Sequence, residues 1–171
     1  SQLIVAGGSW LPHVGKMLGV PLLLQPGKGY SYTYPQVEKN ILYPAILVEG
    51  RCAITPWQHR LRIGGTMELS GINYTILPKR MQGIYNSVKT FYPGLKIEQP
   101  FPNEIWCGLR PVSPDGLPYI GKVKNAENVI FAGGHAMLGV SQCTGTGLLV
   151  SQLVQNKKTE ISIENFAVER F

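Results

Sequence analysis

Cysteine is scarce in this chain. Cys52, Cys107 and Cys143 lie far apart with no CxxC pair. An odd, dispersed set excludes a disulfide framework and a structural zinc site, and points to a reducing compartment. His13, His59 and His135 are equally scattered, so no metal is expected. Charge is also thin, at 15% of residues, and its surplus is positive: 16 Lys and Arg against 10 Asp and Glu, a formal +6. Only Lys79-Arg80 and Lys157-Lys158 are adjacent basic pairs, and no basic run is interleaved with aromatics. A nucleic-acid partner is therefore not expected, and the surplus suits attraction of small anionic substrates. No apolar run reaches 18 residues, which excludes a spanning helix, and no leader pattern opens the chain.

What is present is enough apolar material for a core. Hydrophobic residues make up 44% of 171, with 20 glycines and 13 prolines placed between apolar runs as turn signals. Leu3–Ala6 is a continuous apolar run closed by Gly7-Gly8, which reads as a buried strand. Ser9 is then expected to cap a helix whose apolar face is Trp10, Val14, Met17 and Leu18, stopped by Gly19. Strands are predicted at Leu22–Leu24, Tyr30–Tyr34, Ala45–Val48, Cys52–Thr55 and Leu61–Ile63. Pro26-Gly27, Gly64-Gly65 and Ser70-Gly71 are read as turns. Met81, Ile84, Tyr85, Val88 and Phe91 recur at helical spacing, predicting a helix over 78–92 with Pro78 in its first turn.

Past Trp106 the pattern becomes a strand through Leu109, a Pro- and Gly-rich loop, the buried strand Val129–Ala132, and a helix over 141–155. In that helix, small Gly145 and Gly147 would admit a close neighbour. Leu3–Ala6 and Val129–Ala132 share the pattern of an apolar run followed by Gly-Gly. Each lacks a parallel neighbour other than the other, so both ends are expected in one sheet whose remaining strands are missing. The abrupt start, Ser-Gln and then a strand, is expected to mark an artificial boundary or a cleavage product.

The most informative stretch runs from Gly108-Leu109-Arg110-Pro111 through Pro114-Asp115-Gly116-Leu117-Pro118-Tyr119-Ile120-Gly121. Gly133-Gly134-His135-Ala136-Met137-Leu138-Gly139 follows. These segments resemble the D-amino-acid oxidase family of flavoproteins. So do Ala6-Gly7-Gly8-Ser9-Trp10, Gln25-Pro26-Gly27-Lys28-Gly29-Tyr30 and Arg62-Ile63-Gly64-Gly65-Thr66-Met67-Glu68, in the same order along nearly the whole chain. The resemblance implies an α+β fold. A sheet-rich substrate-binding domain (21–105) is inserted between two segments (1–20 and 106–171) of an incomplete FAD-binding α/β domain.

It also implies residues. A reduced flavin develops negative charge on its pyrimidine edge, and backbone N–H groups at a helix N-terminus stabilise such charge. Gly133, Gly134, His135, Met137, Leu138, Gly139, Val140 and Ser141 are the expected cofactor-binding residues, with glycine allowing close backbone approach. The alternative is a Gly-rich turn that serves packing alone, with His135 a hydrogen-bonded loop histidine. Arg110 is the expected catalytic and substrate-binding residue, since a guanidinium fork orients a carboxylate. Its alternative is a structural ion pair with Asp115 or Glu104. Pro114-Asp115-Gly116 is a turn signature, so Asp115 is read as structural.

Three departures sharpen the reading. Glycine-oxidase-like members hold the carboxylate with a tyrosine where this chain has Ala53, which resembles bacterial D-amino-acid dehydrogenases; Tyr30 or Tyr32 is expected to compensate. Cys107 is one residue away from the position at which some relatives tether flavin, and it would face the other side of the strand, so FAD is expected non-covalent. No GxGxxG fingerprint occurs, so the half that holds the ADP portion is expected to be missing. The activity implied is oxidation of the Cα–N bond of a D-amino acid or related amine, with electrons leaving to a carrier or quinone. The intact enzyme is expected in the cytoplasm or peripheral to the inner membrane, and the fragment alone is expected to be inactive and to self-associate. The rival readings are a non-catalytic subunit and an amino-acid-binding module, either one pairing with a separate nucleotide-binding chain.

Overall fold

The structure, a computed structural model, describes residues 1–39 and 41–171. Its contacts divide the chain into two compact units, 1–27 with 109–171 and 28–108. Among the described residues no helix is long and apolar enough to cross a membrane.

The first unit is built on β1 (Leu3–Val5), β7 (Tyr119–Val123) and β8 (Ala126–Gly133), in the order β1-β8-β7. β1 runs parallel to β8 with Leu3 opposite Val129 and Val5 opposite Phe131, as the shared pattern of the two ends predicts. β7 corrects the expectation of a loop before β8. It is a strand paired antiparallel with β8, and the Pro- and Gly-rich residues before Tyr119 hid its short apolar run. Val5, Leu11, Val20, Leu22, Tyr119, Val123, Val129, Phe131 and Val168 form the core here.

Ser9 does not cap α1 (Leu11–Met17). It lies in a 3-10 turn, and its hydroxyl donates to the Leu109 carbonyl at 3.2 Å. The helix therefore starts one residue later than expected and buries Leu11 and Gly15, leaving Trp10, Met17 and Leu18 exposed. Leu22–Leu24 is not a strand either. Leu22 enters the core, Leu23 is exposed, and the Leu23 carbonyl accepts from the Tyr119 hydroxyl at 2.8 Å. Helix α3 (Gly139–Val154) lies on β7 and β8.

The five-stranded sheet has the order β3-β4-β5-β2-β6. Its strands are β2 (Gln25–Tyr34), β3 (Ala45–Leu47), β4 (Cys52–Trp57), β5 (Arg60–Leu69) and β6 (Trp106–Val112). Two-residue alternation decides which side is buried. Cys52, Ile54, Leu61 and Ile63 point inward with Tyr30 and Tyr34, and Ile54 stands opposite Ile63. Helix α2 (Pro78–Phe91) covers that side with Met81, Ile84 and Val88. These are spaced three and four apart, so they form one stripe.

Two expected turns are strand interior. Pro26-Gly27 sits at the start of β2, where a proline costs few ladder bonds. Gly64-Gly65 lies inside β5 opposite Ala53 and Cys52. A Cβ on Gly65 would come 2.7 Å from the Arg51 carbonyl oxygen, so close approach of β4, not chain reversal, requires glycine there.

Candidate functional site

In the first unit, the Arg110 strand and the loop opening α3 are tied together. Val112 bridges His135, and the Ala136 amide donates to the Pro111 carbonyl at 2.9 Å. The loop is conformationally forced: Gly134 has φ +86°, and Ala136 holds φ +48° although it carries a Cβ. A non-glycine residue in this region costs on the order of 1–2 kcal/mol. That strain turns the chain sharply from β8 into α3. The helix then begins at Gly139 with no side-chain cap, leaving the amides of its first turn available to an acceptor. Of the expected cofactor residues, Met137, Leu138 and Val140 are exposed and Gly139 approaches only the His135 Cβ, at 3.6 Å from a built Cβ.

Gly133 and Gly134 have a structural reason that the pattern does not reveal. A Cβ on Gly133 would fall 2.4 Å from Leu11 Cδ1, and one on Gly134 3.2 Å from the Tyr119 ring. His135 Nε2 lies 2.8 Å from Thr146 Oγ1, and burial pushes its pKa down, so the ring favours its neutral form. Arg110 is half-buried, and desolvation pulls its pKa down; a guanidinium nonetheless stays charged. Asp115 is taken by Arg170: Nε–Oδ2 is 2.8 Å and Nη2–Oδ1 3.0 Å. Arg170 holds the Asp115 carboxyl at about 2, and the Leu117 amide adds to this at 3.1 Å. Asp115 is thus the anchor of a turn, as its sequence context predicts. Arg170, which fastens the C-terminus to that turn, carries no motif that would have singled it out.

In the second unit the two tyrosines part. Tyr30 is 1% exposed and its hydroxyl donates to Glu68, so the expected substrate contact is corrected to a core residue. Glu68 also meets Lys28 at 3.1 Å and Arg80 at 3.3 Å, while Lys28 donates to Asn73 Oδ1 at 2.6 Å and the Thr75 carbonyl at 2.7 Å. Burial would raise the Glu68 pKa, but hydrogen bonds from Tyr30, Ser70 and Lys28 outweigh it and hold the carboxyl at about 2. Tyr32 is partly buried on the same side, edge-on to Tyr34 at 4.6 Å. The opposite side of this sheet carries a cleft of ≈ 510 Å³ lined by Ser31, Thr33, Arg62, Glu104 and Trp106. From the sequence, Arg62 is marked only as part of a resemblance, Glu104 only as an alternative partner of Arg110, and Ser31 and Thr33 only as part of a strand.

The ring end of a flavin fits the residues present in one respect: an uncapped 16-residue helix terminus, held by a rigid loop, offers amides to a developing negative charge. Comparison with known proteins, independent of this geometry, gives the family. The chain is 34% identical to D-amino acid dehydrogenases of Azorhizobium caulinodans and Allorhizobium ampelinum, over 98% of its own length and 40% and 39% of theirs. It thus spans about two fifths of the curated relatives it matches. Glycine oxidase from Geobacillus kaustophilus superposes with a TM-score of 0.80 at 25% identity, covering 99% of this chain and 45% of that one. A family model described as FAD dependent oxidoreductase matches residues 1–153, and the chain belongs to that family.

Proposed function

We propose that this chain is the substrate-domain and C-terminal portion of a flavin-dependent dehydrogenase that oxidises the Cα–N bond of a D-amino acid. The product imine would hydrolyse to a 2-oxo acid and ammonia. FAD, when bound, supplies the two-electron acceptor. The chain's own residues bind and orient. Arg110 takes the substrate carboxylate in a planar fork, and the first-turn amides of α3, from Gly139 to Ser141, meet negative charge. Neutral His135, fixed by Thr146, holds the loop in place and moves no proton.

The observation that carries this reading is the tie between Pro111-Val112 and His135-Ala136. It holds a half-buried guanidinium and an uncapped helix terminus in one rigid unit. The names of the relatives, D-amino acid dehydrogenase and glycine oxidase, support the substrate class.

The test is anaerobic bleaching of flavin in the complete protein by a panel of D-amino acids. Hydrogen bonds to a charged group contribute about 1.5–3 kcal/mol each. Arg110→Ala should therefore lower kcat/KM by roughly two orders of magnitude with flavin content unchanged, and Arg110→Lys should restore little. Near-normal kcat/KM in Arg110→Ala would overturn the role of Arg110. A complete protein that purifies without flavin would overturn the dehydrogenase reading in favour of an amino-acid-binding module.

A further inference from the structure

The cleft on the outer face of the five-stranded sheet gathers a cation, two hydroxyls, an indole and a carboxylate. Ser31 and Thr33 are alternate residues of β2 and so point the same way, opposite to Tyr30 and Tyr34. Arg62 projects beside them from β5, and its Nη2 donates to Ser31 Oγ at 2.8 Å. Because Ser31 Oγ accepts from the guanidinium, its own proton is directed elsewhere. Among the described residues no carboxylate lies within ion-pair distance of Arg62. Arg62, Ser31 and Thr33 therefore form a donor-rich end with one fixed cation.

Trp106 forms the floor. Its indole lies along its own strand over Gly108, where an added Cβ would fall 2.3 Å from the ring. The Arg62 guanidinium sits 5.4 Å from the ring centroid. A tryptophan held this firmly yet 61% exposed offers a flat apolar surface to solvent. Glu104 closes the lining with the cleft's one carboxylate. Its Oε2 accepts from the Phe101 amide at 3.0 Å, which fixes the side chain.

A donor-rich cationic end, an aromatic floor and a single carboxylate together match a small molecule with both charges and an apolar body. We infer that this cleft is a binding site for a free amino-acid zwitterion, with its carboxylate on Arg62, Ser31 and Thr33, its ammonium on Glu104 and its side chain against Trp106. The inference deepens the amino-acid reading above and rests on it for the class of ligand, but it places recognition in the second unit alone. Arg62, Glu104 and Trp106 then hold an amino-acid molecule other than the one whose carboxylate Arg110 takes.

The experiment uses the 171-residue chain with Trp10→Phe and Trp57→Phe, so that Trp106 is the sole indole, excited at wavelengths that spare tyrosine. D-Leucine, 4-methylpentanoate (the same skeleton without the amine) and 3-methylbutylamine (without the carboxylate) are titrated in turn. D-Leucine should quench or shift Trp106 emission saturably, and each one-charge probe should bind at least about tenfold more weakly. Arg62→Gln should weaken D-leucine about tenfold or more without altering the far-UV spectrum, Arg62→Lys should restore part, and Glu104→Gln should erase the preference over 4-methylpentanoate. Equal binding of all three probes, no saturable response, or an unchanged response in Arg62→Gln would each overturn the assignment. Zwitterion binding in a protein whose complete form carries no flavin would sustain the cleft and sink the dehydrogenase reading. Bleaching of flavin by D-amino acids with no response at Trp106 would do the reverse.

Discussion

Helix α2 presents Met81, Ile84 and Val88 on one stripe and buries all three. Helix α3 is longer and carries more apolar residues on more sides, yet Leu149 alone is buried; Leu148 is half exposed and Val140 is 89% exposed. The sheets beneath them differ in the same sense. β4 and β5 are paired on both sides, whereas β1 is an edge whose Leu3 and Ile4 are about half exposed. A helix whose apolar surface matches the surface available to cover it belongs to a finished unit. One whose apolar surface exceeds it leaves an apolar face open, and a Cβ added at Gly145 or Gly147 would meet nothing within 4 Å.

The contrast can be broken most forcefully at Glu68. Glu68→Ala leaves Lys28, fully buried, without its anion, and breaking a buried pair costs about 3–5 kcal/mol. Urea denaturation should show that loss in the second unit, and an unchanged midpoint would show that Lys28 is satisfied by Asn73 and Thr75 alone. Met81→Ala empties a packed position under α2 and should cost about 2–5 kcal/mol by the same measurement.

Acid should weaken both units. The folded pKa values of Glu68 and Asp115, at about 2, lie below the unfolded values of about 4. The stabilisation is complete above about pH 4 and is lost as pH falls towards 2. Thermal melts across that range should fall steadily, and a flat melting temperature down to pH 2 would contradict the pairing in both units. The smallest effect belongs to α3. Leu148→Lys and Val140→Lys should change stability by no more than about 0.5 kcal/mol, because little is buried to lose. If the bare face drives self-association, light scattering across a concentration series should show these variants less associated. Association unaffected by either change would place the contact elsewhere.

Much of this contrast was already legible in local pattern. The α2 stripe, the alternation of β4 and β5, and the parallel pairing of Leu3–Val5 with Val129–Phe131 follow from periodicity and from matched apolar runs, because those signals span three or more residues of one element. Local pattern also made the turn at Asp115 legible, because its signature lies within one segment. It failed where a residue's role depends on a partner far along the chain. Ser9 reads as a cap but bonds Leu109, a hundred residues on; Gly64-Gly65 reads as a turn but admits Arg51 and Cys52; Tyr30 reads as a ligand contact but is locked on Glu68.

By itself, the sequence determined which stretches alternate, which wind into helices, and which short motifs resemble a flavoprotein, since each depends on neighbours within about one or two turns of chain. Only the tertiary structure decided which glycines answer to packing, which carboxylate Arg170 holds, and that Ser31, Thr33, Arg62, Glu104 and Trp106 share one cleft. The cleft arises from strand order, β5 beside β2 beside β6, which brings together residues more than seventy positions apart. No local spacing encodes such a juxtaposition.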